Sequence, residues 1–230
     1  ILFSIFCLVP SLYVSNSVYK SLKGQMFLLQ DFNSNSYNLP LNQVDNVVPD
    51  IPNITVTTIP INSVKARYYL NAKKYDKALA LVEKGTSANP YLFYSELLKS
   101  QIYQAKGDLD SAKFFARKAF FGLPNNALHA SNYINLINQT RDADALEEAF
   151  EMFTAKNDFN NWKNYLIVAN AILPPSDSLL ISRAKHAITI FPGNAEIQGL
   201  ARLIELGQQK INQASSFSNA GLQFFNARDY

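Results

Sequence analysis

Three prolines set the grain of this sequence. Pro90, Pro124 and Pro192 lie 34 and then 68 residues apart, one and two lengths of a single period. A proline inside a helix loses a backbone hydrogen bond and clashes with the preceding turn, so each marks a helix end. Between the first two, Tyr91–Asn126 carries two helical patterns that meet at Lys106-Gly107-Asp108. Leu97, Leu98, Ile102 and Tyr103 share one face of the first pattern. Ala112, Ala116 and Ala119 form a small-residue stripe along the second, which lets another helix backbone come close. The spacing predicts a helical hairpin with a tight crossing, closed by Pro124.

The same frame recurs one period earlier. Ala66 pairs with Ser100 as the small position of the first helix, and Tyr69 with Tyr103 as the large one. Ala78 pairs with Ala112 after the turns Lys73-Lys74-Tyr75-Asp76 and Gly107-Asp108-Leu109-Asp110. Self-similarity at such a period marks a stacked array, because one hairpin cannot bury its apolar face alone. These residues resemble the tetratricopeptide (TPR) repeat, whose period is about 34 residues. The resemblance covers residues 61–230. It implies an all-α solenoid, a right-handed superhelix of units at about 61–90, 91–126, 127–158 and 159–193, with an incomplete unit at 194–230.

The third unit departs from the pattern. Tyr133, Ile134, Leu136 and Ile137 make its first helix, and Leu146, Ala149, Phe150 and Phe153 its second, with the alanine displaced from the frame. In the fourth, Trp162, Tyr165, Leu166 and Ala169 precede the Pro174-Pro175 turn, with Ser176 or Asp177 as N-cap and Ala184 and Ala187 beyond. From about Ala195 a further helix begins, with Leu200, Leu203, Ile204 and Leu206 apolar and no proline before Phe225. Gly221, Phe224 and Arg228-Asp229-Tyr230 match Ala66, Tyr69 and Lys73-Lys74-Tyr75 at the same offsets, so the chain reads as a piece cut inside a further repeat. The pairing of 195–210 stays open.

The N-terminal sixty residues differ in kind. Ile1 to Val14 holds no charge, yet fourteen residues are too few to span a bilayer, which takes about 20. With Ile1 in place of methionine, the run reads as the second half of a membrane helix, against a signal-peptide core or a buried core helix. Residues 15–30 continue helically, with Tyr19, Leu22, Met26 and Leu29 at helical spacing. Residues 31–60 are rich in Asn, Ser and Pro and read as a linker, with Asn53–Ile59 as one short extended segment.

Composition narrows the functions available. Hydrophobic residues make up 48% of the chain and charged ones 17%, which excludes a disordered class. The net charge of +3 comes from scattered lysines and arginines, so no nucleic-acid footprint is expected. The single cysteine, Cys7, permits no intrachain disulfide. His129 and His186 lack helix-spaced carboxylates and read as structural or surface residues, so no metal, cofactor or catalytic residue is expected. The acids Asp142, Asp144, Glu147 and Glu148 read as a solvated helix start. In Phe114-Phe115 and Phe120-Phe121, one ring of each pair points off the core.

In a solenoid the first helices of the hairpins, the A helices, line the concave side. Arg67, Leu70, Tyr94, Leu97, Gln101 and Gln104 are then the groove positions, suited to an extended peptide or a partner helix. A second resemblance rests on Ser21-Leu22-Lys23-Gly24, the proline-rich stretch, Ala88-Asn89-Pro90-Tyr91 and Leu123-Pro124-Asn125-Asn126 with His129. These look like the C-terminal region of bacterial O-antigen ligase/polymerase-type membrane proteins. The resemblance implies a last membrane helix at 1–14, a linker, and extracytoplasmic repeats acting as a non-catalytic interaction scaffold. The alternatives are a substrate-positioning part of a glycan-transferring enzyme whose chemistry lies upstream, and a soluble TPR adaptor.

Overall fold

The computed structural model describes residues 2–49, 51–175 and 177–226, and the described residues are helical throughout apart from turns and one isolated β-bridge. The helices fall into two compact units that divide after Tyr133. Arg228-Asp229-Tyr230, the end of the match to Lys73-Lys74-Tyr75, lie outside the described residues.

The hairpins are set by their turns. Helices α3 (Ile61–Asn71) and α4 (Tyr75–Ala88) pack together, as do α5 (Tyr94–Lys106) and α6 (Leu109–Gly122), and α4 packs on α5. Three A helices end on a left-handed residue: Lys73 (φ 57°), Gly107 (φ 82°) and, at the end of α7 (Ala127–Thr140), Arg141 (φ 51°). The next amide reaches back to a carbonyl five residues earlier, Lys74 to Tyr69, Asp108 to Tyr103 and Asp142 to Ile137. This Schellman closure satisfies carbonyls that a helix end would otherwise leave unpaired. Asp108 and Asp142 then cap the following helices through their carboxylates, which accept from Ser111 and Ala145. The second helices of the hairpins therefore start at Tyr75, Leu109 and Ala143, 34 residues apart, and at Ser178 one residue later than the frame.

Packing follows the same frame. Ala78, Ala112, Leu146 and Leu180 occupy equivalent, buried positions, so in the third hairpin the frame is kept by the turn and the alanine gives way to a leucine. Gly85 serves close approach. A Cβ there would lie 1.9 Å from the Ser63 hydroxyl, which itself bonds Ser95 across α3 and α5 at 2.9 Å. Phe120 is fully buried and stacks on Tyr133 at 5.4 Å, and Phe115 stacks on Tyr103 at 5.5 Å, leaving Phe114 exposed.

In the second unit α8 (Ala143–Thr154) packs on α9 (Phe159–Ile172), and α9 and α10 (Ser178–Ile190) pack on α11 (Ala195–Asn226). Asp177 is the N-cap of α10. Helix α11 is broken at Gly207, whose φ of 75° and ψ of 154° are open to glycine and strained for other residues.

The N-terminal region differs most from expectation. Helix α1 runs from Leu2 to Ser34, with Pro10 inside it; the Ser11 hydroxyl donates to the Cys7 carbonyl nearby. Among the described residues no helix is long and apolar enough to cross a membrane. The stripe Tyr19, Leu22, Met26 is exposed, and the buried face is Ser21, Gly24, Gln25, Leu28 and Asp31. The helix is inverted because its polar side chains have partners inside: Gln25 accepts from the Val56 amide at 2.9 Å and bonds Ser21. Gly24 leaves room for the Val47 carbonyl, which a Cβ would meet at 2.0 Å.

Of residues 31–60, read as linker, 31–34 belong to α1, and the described residues after them pack Leu39, Leu41, Val44, Val47, Val48 and Ile59 into the core of the first unit. A short helical turn, α2 (Leu41–Val44), ends on the fully buried Val44, and the buried Val48 follows it. Lys65, itself buried, donates to the carbonyls of Asp45 and Val48 at 2.8 and 3.2 Å. The extended segment at 53–59 closes instead as a tight turn with one bridge, Ile54 to Pro60.

Candidate functional site

Helix α3 is polar by composition yet buried almost all round, and this points to the site. Ser63, Lys65 and Arg67 of α3 are buried together with Ser95, Glu96, Lys99 and Ser100 of α5. Buried polar groups persist only where partners compensate their lost water. Of the six positions expected to line a groove, the structure brings Arg67, Tyr94 and Leu97 together under cover, while Leu70, Gln101 and Gln104 stay partly exposed. None of the first three lines an open groove: Phe32, Asn35 and Tyr37 lie against Arg67, Phe32 lies against Tyr94, and Leu97 is buried in the core.

Arg67 is the centre of this contact. Its guanidinium sits 4.8 Å from the ring centre of Phe32 and 5.2 Å from that of Tyr37, a cation between two aromatic rings. One nitrogen, Nη2, donates to the Asn35 Oδ1 at 3.0 Å, while Nη1 is buried without a partner. Phe32 also meets Tyr94 edge-on at 5.8 Å, and Tyr37 meets Tyr68 edge-on at 5.6 Å. Asn35 takes the left-handed conformation that asparagine tolerates, which turns the chain back over α3.

Asp31 organises the covering segment. Its carboxylate accepts from the Asn38 amide at 2.7 Å, the Asn38 side chain at 2.9 Å, Ser36 at 3.0 Å and the Leu39 amide at 3.2 Å. Tyr68 alone ties it to α3, donating its hydroxyl at 2.8 Å. Burial by itself would raise this carboxyl, but bonds from Tyr68, Leu39, Asn38 and Ser36 outweigh it and hold the group below its ordinary value. The Tyr68 hydroxyl is pushed well above its usual range by burial and by the Asp31 charge it bonds, and burial does the same to Tyr94.

A second polar cluster lies in the other unit. Arg183 of α10 donates through two nitrogens to the two oxygens of Glu147 on α8, each at 2.6 Å, and to the Tyr165 hydroxyl of α9 at 2.6 Å. Its guanidinium lies 3.6 Å from the centre of the Phe150 ring. The Arg183 bond, stronger than the opposing burial, holds the Glu147 carboxyl below its ordinary value. This cluster clamps three helices and has the geometry of packing. Beside the break at Gly207, a hollow of about 540 Å³ opens between Pro174, Pro175, Leu180, Leu203 and Leu206.

The two histidines have different surroundings. His129 is buried, and its Nε2 lies 3.0 Å from the Leu92 carbonyl; a carbonyl only accepts, so that nitrogen holds the proton. Burial lowers its pKa, keeping the ring neutral. His186 rests on Trp162 at 5.9 Å. No group of three or more His, Cys, Asp and Glu suited to a metal occurs among the described residues.

Sequence reasoning placed Arg67, Tyr94 and Leu97 on one surface but missed Asp31, Phe32, Asn35, Tyr37 and Tyr68, which complete it. The available signal was an acid and two aromatics inside a stretch otherwise of Asn, Ser and Pro. The fold defines the class, an all-α protein of helical-repeat type. The chain matches no family model, no curated protein and no solved structure.

Proposed function

We propose that this chain is a TPR-like repeat module that holds peptide segments of partner proteins against its A-helix face, as a scaffold without chemistry of its own. The observation that carries the reading is that this face already holds a peptide segment. Residues 32–37 lie on α3 and α5 with a cation between two rings, a hydrogen bond from Arg67 and an edge-on aromatic pair. Extended segments docked on helical grooves use such anchors. A panning experiment with displayed peptides tests this. Peptides selected on the full chain should bind at least tenfold more weakly after Leu70→Ala, Gln101→Ala and Gln104→Ala. Binding unchanged by all three would contradict the reading.

The module sits on a membrane-anchored envelope protein with its repeats extracytoplasmic, as the resemblance to O-antigen ligase/polymerase tails implies. What supports lipid contact is the outward apolar surface of α1, where Phe6, Leu8, Val9, Leu12, Tyr13 and Val14 are exposed and uncharged. Such a surface marks an interaction site when it is contiguous. Flotation with liposomes checks it: the chain should rise with the vesicles and lose this on Phe6→Ser, Val9→Ser and Leu12→Ser. A chain that stays with the soluble fraction would refute the lipid contact.

A further inference from the structure

We infer that residues 21–39 are a displaceable plug: the last turns of α1 and the knot after them close the A-helix face until a partner segment takes their place. The inference rests on the reading of that face as a peptide-binding surface and adds how access to it is controlled.

Three observations carry it. The knot is held mainly to itself: four of the Asp31 bonds run to Ser36, Asn38 and Leu39, while α3 reaches it through two, Tyr68 to Asp31 and Arg67 to Asn35. It can leave as a unit without unmaking its own hydrogen bonds. The contact is also mixed. The inward face of α1 is Ser21, Gly24, Gln25, Leu28 and Asp31, of which only Leu28 is a large apolar residue, and the knot adds the partly buried Phe32 and Leu39 and the Tyr37 ring against Tyr68. Contacts that alternate polar and apolar groups in this way resemble surfaces that separate and rejoin, whereas permanent ones bury continuous apolar area.

The third observation is that the closed state leaves a defect. Arg67 is 8% exposed, its bonded partner is the neutral Asn35, and Nη1 has no acceptor. A buried guanidinium so placed retains part of its desolvation penalty. Opening returns it to water, and an incoming segment with an aromatic ring and one more acceptor satisfies it better than the plug does. Below Pro40 the chain stays fixed, since Val44 is fully buried and Lys65 grips the Asp45 and Val48 carbonyls. Residues 39–40 are thus the hinge.

The test uses the full chain and its Phe32→Ala/Tyr37→Ala variant, which weakens the plug and leaves α3 and α5 intact. The first reading is hydrogen exchange at the Val56 amide, which Gln25 holds from across the contact at 2.9 Å and which neither mutated ring touches. Its exchange should rise at least tenfold in the variant, with the Ile102 amide of α5 unchanged. The second reading is binding of a synthetic peptide of residues 21–39, which should be at least tenfold tighter to the variant than to the unmodified chain and abolished by adding Arg67→Ala. Peptide binding to the variant with unchanged Val56 exchange would overturn the plug and leave the binding face standing. Raised exchange with equal or no peptide binding to both chains would overturn the plug together with the reading beneath it.

Discussion

Arg183→Ala is the substitution whose magnitude the structure specifies best. The side chain is 11% exposed and makes two bonds to Glu147, one to Tyr165, and a stack on Phe150 at 3.6 Å. Glu147 is 55% exposed, so its carboxylate rehydrates when the arginine goes, and that pair contributes about 1 kcal/mol. Tyr165 is 1% exposed and its hydroxyl loses a charged partner, a loss of about 1–2 kcal/mol. The cation–ring contact adds about 1 kcal/mol. These groups are coupled and do not sum strictly, so a net loss of about 3 kcal/mol is expected. Trp162, the only tryptophan, lies 5.9 Å from Phe150 and reports on this unit by its fluorescence. The urea midpoint by that signal should fall by about 1–2 M, while Glu147→Gln shifts it by less than half as much. A shift within about 0.5 kcal/mol for Arg183→Ala would refute the clamp.

Gly85→Ala should destabilise by about 1–3 kcal/mol, because its Cβ would meet the Ser63 hydroxyl at 1.9 Å; helix propensity alone predicts the opposite sign, so thermal unfolding decides between the two. Removing the cap with Asp142→Ala should lower stability by about 1 kcal/mol in urea titration, and Asp142→Asn should restore most of it. Asp31 and Glu147 both have carboxyls held below their ordinary values, so the stability they add is present above about pH 4 and is lost as pH falls through the lowered values. Circular dichroism from pH 7 to pH 2 should show that loss only below about pH 4, and much of it should vanish in a chain carrying both Asp31→Asn and Glu147→Gln.

The period was legible because it is written in residues with strong backbone rules. Proline ends a helix, and among the three left-handed A-helix ends Gly107 is the one that glycine announces. The equivalent Lys73 and Arg141 adopt the same conformation with ordinary side chains, so the third hairpin looked irregular although its turn is not. Asp177 read correctly as a cap because a side-chain acceptor ahead of an apolar run has few other uses. The break at Gly207 carries no local sign, because the apolar spacing continues through it and a lone glycine does not end a helix by itself.

The candidate site was half legible for a similar reason. Repeat geometry puts Arg67, Tyr94 and Leu97 on A-helix faces, and all three are buried there. What covers them depends on contacts more than 30 residues apart, such as Arg67 with Asn35 and Tyr68 with Asp31, and no local periodicity encodes those. The spacing of Tyr19, Leu22 and Met26 on α1 did not say which way the stripe faces; Gln25 and Asp31 find their hydrogen bonds inside, so these three residues turn out.

That the chain covers its own A-helix face can be observed directly by nuclear Overhauser spectroscopy with selectively labelled phenylalanine and tyrosine. Phe32 and Tyr94 have ring centres 5.8 Å apart, edge to face, which brings ring protons well within range. Cross-peaks between these two rings, and from Phe32 to the Arg67 side chain 4.8 Å away, are predicted. A Phe32 ring with solvent-like shifts and no contact to either residue would contradict the account.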